Sequence, residues 1–267
     1  MRAFLLGWVK TVMSLRIDRY GRVEGGFSID DELLQEFEMA TRRRETLVDT
    51  LRQWGLDGLY KEMGPEEFLD FVDFLVFHAQ RLGGEAASTL ESLEIVLRDA
   101  GSEWKVGVRD GHASLEKRVP EGVATAVDET ISGAGPAGSL LAEAWRAVFG
   151  RSPDPEDAYG KAIKAVEEAG AHVVSPKSGR TTLGTMVRDM EKQNDWSLDL
   201  PTPGSGVPVR MAAALWRGQG SRHGGNGYRK PTQAEAEAAV MLAVPLVQWF
   251  TSGALRRRTG QSERLEH

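Results

Sequence analysis

Residues 140–170 read LLAEAWRAVFGRSPDPEDAYGKAIKAVEEAG, and this stretch decides the fold class. Its first ten residues are amphipathic and precede Gly150, a pattern typical of a helix that ends at glycine. Asp154 and Pro155 follow as the N-cap and first-turn pair of a second helix, which is predicted to end at Gly170. The apolar side chains of this second helix recur at helical spacing, at Tyr159, Ala162, Ile163 and Val166. The stretch therefore predicts two consecutive helices that each bury one face.

Capping signals predict further helices downstream of this pair. Thr182 is the predicted N-cap of a helix whose apolar stripe is Leu183, Met186, Val187 and Met190. A short helix is predicted over residues 209–216. Thr232 and Glu235 form a capping box for the last helix. Pro245 inside that helix is expected to kink it, a fault of roughly 3 kcal/mol that packing must offset.

Helix signals also dominate the N-terminal half. A long helix is predicted from Ser28, its N-cap, to Gly55. A second helix has Pro65 in its first turn and ends at the glycine pair 83–84. A third is predicted over residues 86–99.

The same half contains a β-hairpin signal. Residues 103–119 contain two short alternating runs separated by Asp110 and Gly111, a pair that favours a two-residue hairpin turn. Residues 15–24 alternate well enough to form a short strand or hairpin. The sequence thus predicts a mainly α protein with a small β element.

The segment SGAGPAGS, residues 132–139, is the predicted linker, because glycine and small polar residues cannot anchor a core. The expected organisation is a helical N-terminal region over 1–133, with the hairpin near 103–119, followed by a helical bundle over 134–262. Residues 263–267 form a tail that reads as the remnant of an affinity tag.

Composition bounds the function classes. The 267 residues include no cysteine, which excludes disulfides, zinc fingers and thiolate catalysis, and which fits a cytoplasmic location. The formal net charge of −6 argues against a protein that coats nucleic acid non-specifically but permits a local basic site. The N-terminal run from Ala3 to Val9 is too short for a signal core and predicts an amphipathic first helix. No segment approaches the length needed to span a bilayer, so no membrane partner is expected.

The residues WRGQGSRHGG, 216–225, lie in a local basic segment of this acidic chain. From Pro201 to Ala234 the sequence has no aspartate or glutamate, and its cations are Arg210, Arg217, Arg222, Arg229 and Lys230. The glycines Gly218 and Gly220 end the preceding helix and let backbone N–H groups approach a ligand closely. The segment therefore predicts a site for an anion.

Arg217 and His223 are the candidate catalytic groups of that site. Helical periodicity does not bring them together, so they meet only if the glycines fold the chain back. Arginine binds phosphate through a planar fork, and histidine exchanges protons near neutral pH. Together they suit cleavage of RNA by its own 2′-hydroxyl, which needs a base, an acid and a cation. One histidine is poorly suited to both proton transfers, so we expect a symmetric dimer that shares two copies of each group.

The arrangement of Arg217 and His223 before a final helix resembles the Arg-x4–6-His motif of HEPN ribonucleases. The wider segment resembles the C-terminal domain of bacterial abortive-infection proteins, on the stretches AYGKAIKAVE, VVSPKSGRTTLG, RHGG and AEAAVMLAVPLVQWF. The resemblance covers about half of the chain, Leu140 to Arg258. It implies a HEPN-like helical bundle and a dimeric, metal-independent endoribonuclease without cofactor, of the kind found in toxin or phage-defence systems.

By this resemblance Arg217 and His223 are the catalytic pair. The predicted substrate-binding residues around them are Arg222, Gln219, Ser221, Trp216 and Arg229. Gly218 departs from the pattern, because many family members carry a polar residue directly after the arginine; Gln219 and Ser221 are the candidates to replace it. Implied partners are RNA, a second copy of the chain, and an antitoxin or a phage trigger protein.

Simpler interpretations stay open beside this one. Arg222 either binds RNA phosphate or is merely exposed, and Lys177 and Arg180 are more simply part of a surface turn. Arg256–Arg258 are expected to be a cationic helix end. No two histidines share metal-ligand spacing with carboxylates, so no metal site is predicted. The rival functions are a non-catalytic nucleic-acid or nucleotide-binding adaptor or antitoxin, and a purely structural oligomerisation module.

Overall fold

A computed structural model describes residues 2–17, 23–25, 31–81, 84–179, 181–198, 200, 206–219 and 229–257. Within these residues the chain forms ten helices and three antiparallel two-stranded sheets, which confirms the mainly α fold class. The chain divides into two compact units, Met1–Arg118 and Val119–His267, each with its own hydrophobic core. In the part of the chain so described, no helix is both long and apolar enough to cross a membrane.

The first unit contains four helices and two β-hairpins. Its helices are α1 (Arg2–Met13), α2 (Glu32–Thr41), α3 (Val48–Gln80) and α4 (Gly84–Asp99). Its strands are β1 (Leu15–Ile17), β2 (Val23–Gly25), β3 (Trp104–Arg109) and β4 (His112–Lys117), paired β1–β2 and β3–β4. The strand or hairpin expected over residues 15–24 is therefore present as β1 and β2.

The single helix predicted from Ser28 to Gly55 is wrong, because the chain forms two helices there. α2 ends at Thr41, and Arg42 adopts a left-handed conformation with φ 54°. Residues 42–47 then turn so that the Glu38 carboxylate accepts a hydrogen bond from the Leu47 N–H at the start of α3. Ser28 lies outside the described residues.

Glycines bend α3 at two positions. The backbone leaves helical geometry at Gly55, with φ 64°, and at Gly64, with φ 74°. Both conformations have positive φ with extended ψ, a combination that only glycine adopts readily. Pro65 follows Gly64 and begins the last helical segment, as the sequence predicts.

The predicted hairpin is confirmed. Asp110 and Gly111 link β3 to β4 with positive φ at both positions, 49° and 73°, which defines a type I′ turn. The Gln80 side chain of α3 fastens the turn by donating to the Gly111 carbonyl at 2.7 Å and accepting from the Ala113 N–H at 2.8 Å. Trp104 and Leu115 are buried in the core of the first unit.

The second unit is a helical bundle. Its helices are α5 (Glu121–Gly133), α6 (Pro136–Phe149), α7 (Pro155–Val174), α8 (Leu183–Gln193), α9 (Val207–Gly218) and α10 (Gln233–Thr251). α7 lies against α6, α8 and α10 and forms the centre of the packing. The predicted N-caps are confirmed: the side chains of Asp154, Thr182 and Thr232 accept backbone N–H bonds at the starts of α7, α8 and α10.

The predicted linker over 132–139 is a helix corner. α5 ends at Gly133, Gly135 turns the chain with φ 53°, and α6 begins at Pro136. Gly138 lies so close to the Ile131 carbonyl that a Cβ atom would not fit. α5 packs on α6 and α10 and belongs to the second unit, which begins at Val119.

Two details of the second unit differ from expectation. α7 continues past Gly170 to Val174, because Gly170 permits close contact with Met186 and Phe250 rather than ending the helix. Arg256 and Arg257 belong to strand β6 (Leu255–Arg257), which pairs with β5 (Trp196–Leu198).

Candidate functional site

Arg217 lies on the last turn of α9. This helix buries Val209, Ala212, Ala213 and Leu215 in the core, whereas the Arg217 side chain is 70% exposed. The apolar face that fixes the helix thus leaves the guanidinium in solvent. The guanidinium is therefore held on a packed helix and is largely exposed to solvent.

Tyr159 of α7 contacts the C-terminal turn of α9, which contains Arg217. Its hydroxyl donates a hydrogen bond of 3.0 Å to the Leu215 carbonyl, one of the last carbonyls of α9, which lack partners within the helix. The same hydroxyl lies against Gly218, where a Cβ atom would come closer than 3.0 Å. A side chain at residue 218 would therefore displace the Tyr159 hydroxyl, which accounts for the absence of a polar side chain directly after Arg217.

Trp216 packs α9 against α8. Its indole is partly buried against the core and lies on Gly184, at a distance that leaves no space for a Cβ atom. Much of the ring is therefore used inside the bundle, and a nucleotide base can reach only the part that stays exposed. Gln219 follows α9 as its C-cap and is half-buried.

Carboxylates from outside the basic segment pair with its cations. Arg217 Nη2 lies 3.4 Å from Glu191 Oε1 of α8, and both side chains are largely exposed. Lys230 Nζ lies 3.5 Å from Glu156 Oε2 of α7. The excess of positive charge seen in the sequence of this segment is thus reduced by the fold.

Arg229 is engaged at the start of α10. Its guanidinium donates two hydrogen bonds to Glu235, of 2.8 and 2.6 Å, and Glu235 also accepts the Thr232 N–H at 2.8 Å. The Arg229 hydrogen bonds, together with that from Thr232, lower the pKa of the Glu235 carboxyl to about 2. Arg229 therefore supports the capping box, and substrate binding through its guanidinium would require it to leave Glu235.

The other predicted site residues, Ser221, Arg222 and His223, lie outside the described residues. The convergence of Arg217 and His223 therefore stays a prediction. Of the two cations in the 175–182 turn, Lys177 is exposed and Arg180 lies outside the described residues.

Glu167 is a group that sequence reasoning missed. Its carboxylate accepts a hydrogen bond of 2.6 Å from the Leu183 N–H at the start of α8. Burial raises the pKa of Glu167, while that hydrogen bond and the nearby Lys164 act in the opposite direction. It lines a cleft of about 380 Å³ between α7 and the turn that contains Ser178. Only the fold brings α8 to this residue, so no local pattern could have identified it.

Comparison with known proteins adds no assignment: no family model, curated protein or solved structure matches the chain. Among the residues that the structure describes, no group of three or more histidine, aspartate or glutamate side chains is arranged to hold a metal ion.

Proposed function

We propose that the chain is a metal-independent cytoplasmic endoribonuclease that acts as a toxin or in phage defence, with Arg217 and His223 as its catalytic pair. The observation that supports the proposal is the position of Arg217. It is an exposed guanidinium on a helix end that Tyr159, Gly218 and the core hold in place, and it precedes His223 by six residues. The resemblance to HEPN ribonucleases and abortive-infection proteins supports the same assignment.

The proposed reaction is attack by an RNA 2′-oxygen on the adjacent phosphorus. The O2′–P bond forms, the P–O5′ bond breaks, and the products carry a 2′,3′-cyclic phosphate and a 5′-hydroxyl. His223 takes the 2′-hydroxyl proton, and His223 of a second copy protonates the leaving 5′-oxygen. Arg217 stabilises the charge on the phosphate oxygens through its planar fork.

Glu191 is the first competitor of a phosphate at Arg217. The pair is exposed, and such surface ion pairs contribute only about 0–1 kcal/mol. A phosphodiester that makes two charge-assisted hydrogen bonds to the guanidinium can therefore displace the carboxylate. Replacement of Glu191 by glutamine is expected to strengthen RNA binding, because the amide leaves the cation unneutralised.

The alternative function is a non-catalytic nucleic-acid or nucleotide-binding adaptor or antitoxin. The observation in its favour is the pairing of Arg217, Arg229 and Lys230 with carboxylates, which lowers the charge available to a transition state. An adaptor of this kind would bind RNA through the glycine-rich segment without turnover.

Incubation of the purified chain with RNA and EDTA distinguishes these functions. We expect cleavage that is lost in His223→Ala and in Arg217→Ala. The matched controls are His172→Ala, an exposed histidine of α7, and Arg98→Ala, an exposed and ion-paired arginine of the first unit; both should retain cleavage. RNA binding without cleavage in the wild-type chain supports the adaptor, and cleavage that survives in His223→Ala refutes the assigned base.

Two further measurements test the shared site and the biological role. Sedimentation at micromolar concentration should give a dimer, and an active monomer would exclude a site built from two copies. Expression in a bacterial host should arrest growth, and His223→Ala should relieve the arrest whereas His172→Ala should not.

A further inference from the structure

A groove between α5 and α10 in the second unit has a volume of about 520 Å³. Its floor is apolar, with Val127 and Val244 buried and Met241 37% exposed at its edge. Small residues on α5 keep it open, namely Gly122, Ala126 and Gly133. None of these residues belongs to the proposed ribonuclease site, so the groove is a separate feature.

The groove has the dimensions of a helix-binding surface. Its lining runs from Gly122 to Gly133 on α5 and from Met241 to Ser252 on α10, about 16 Å along each helix at a rise of 1.5 Å per residue. Three turns of a helix fit this length. Helices bound in such grooves insert apolar side chains at positions i, i+4 and i+7.

The electrostatics of the groove are negative. Glu129 lines it, and neither α5 nor α10 contains a lysine or an arginine. Both helices also end within the lining, α5 at Gly133 and α10 at Thr251, and helix C-termini carry partial negative charge. Arg257, which follows α10 on β6, is paired with Asp195 at 2.6 Å.

We propose that this groove binds a cationic amphipathic helix of a partner protein. The apolar side chains of that helix occupy the floor, and its lysine or arginine side chains lie beside Glu129 and the two helix ends. The proposal does not depend on ribonuclease activity.

The same charges argue against other occupants. A symmetric contact between two copies would place the same negative patch on both sides, and neither α5 nor α10 supplies a lysine or an arginine to neutralise it. Nucleic acid and anionic lipid surfaces are negatively charged, so Glu129 and the helix C-termini repel them as well. A cationic helix is the occupant whose charge complements the groove.

The test measures fluorescence anisotropy of two labelled 14-residue peptides with the full-length chain. Both peptides carry leucines at positions i, i+4, i+7 and i+11; one is flanked by lysines and the other by glutamates. The lysine peptide is expected to bind at least tenfold more tightly. Ala126→Trp, which fills the groove from an exposed position, should weaken its binding at least tenfold, whereas the matched control Ala3→Trp, at an exposed position of α1, should not.

Glu129→Lys provides a second variant that leaves the apolar floor intact. It should weaken binding of the lysine peptide and strengthen that of the glutamate peptide. Absence of lysine-peptide binding, equal affinity for the two peptides, or unchanged affinity in Ala126→Trp would each overturn the proposal. A dimer that Ala126→Trp converts to a monomer in sedimentation would also overturn it, because the occupant would then be a second copy of the chain.

Discussion

The contact between Gly218 and Tyr159 gives a sharp prediction about the end of α9. A Cβ atom at residue 218 meets the Tyr159 hydroxyl closer than 3.0 Å, whereas the next nearest ring atom, Cζ, lies 3.6 Å away. Gly218→Ala is therefore expected to cost about 1–3 kcal/mol from overpacking, reduced by the roughly 0.5–1 kcal/mol that alanine contributes over glycine in a helix. Removal of the hydroxyl should abolish the clash.

The double variant Gly218→Ala/Tyr159→Phe isolates this effect. Tyr159→Phe alone leaves the buried Leu215 carbonyl without its 3.0 Å donor, a loss of about 1–3 kcal/mol. In the double variant the alanine meets only Cζ at an ordinary distance. The two changes should therefore couple favourably, and the double variant should be about 1–3 kcal/mol more stable than the sum of the singles predicts.

Urea unfolding of the full-length chain, followed by far-UV circular dichroism, measures these free energies. The matched control is Gly160→Ala in α7, where an added Cβ meets no atom within 4 Å and which should gain about 0.5–1 kcal/mol. Because Gly160 lies in the second unit, the unfolding transition whose midpoint shifts in this control is the one that belongs to that unit. Additive effects of Gly218→Ala and Tyr159→Phe would refute the reasoning.

The remaining predictions concern two carboxylates and one glycine. The pKa of Glu235 is lowered to about 2, so the stability that the ionised carboxylate contributes is complete above pH 4.5 and is lost as the pH falls towards 2. In Glu235→Gln the unfolding midpoint should therefore depend less on pH between 4.5 and 2 than in the wild-type chain. The pKa of Glu167 is raised by burial, so its ionised form opposes folding as the pH rises. Glu167→Gln keeps an acceptor for the Leu183 N–H of α8. Relative to the wild-type chain, it should raise the unfolding midpoint more at pH 8 than at pH 4, and an equal change at both pH values would contradict this. Gly107→Ala should destabilise the first unit by about 1–3 kcal/mol in calorimetry, because its Cβ would collide with the buried Glu116 carboxylate; an unchanged transition would show that the carboxylate can move.

At the candidate site, the sequence predicts the charge of the basic segment but not the carboxylates that pair with it. The absence of acidic residues from Pro201 to Ala234 is visible in the sequence. It predicts an uncompensated anion site only if no carboxylate from another element lies beside these cations. The fold brings Glu191 to Arg217, and Glu156 to Lys230. Each of these carboxylates is more than twenty residues distant along the chain, so no local pattern reveals the pairing.

The sequence by itself determined the helix starts at Asp154, Thr182 and Thr232 and the hairpin turn at Asp110. These features depend on side-chain and backbone hydrogen bonds within about four residues, so local chemistry is sufficient to specify them. The tertiary structure alone decided that α5 packs on α10, so that residues 132–139 join two helices of one unit, and that a side chain at residue 218 would meet the Tyr159 hydroxyl. It also decided the pairing of β5 with β6. Those outcomes depend on contacts between segments that are distant in sequence, so no local stretch of the chain specifies them.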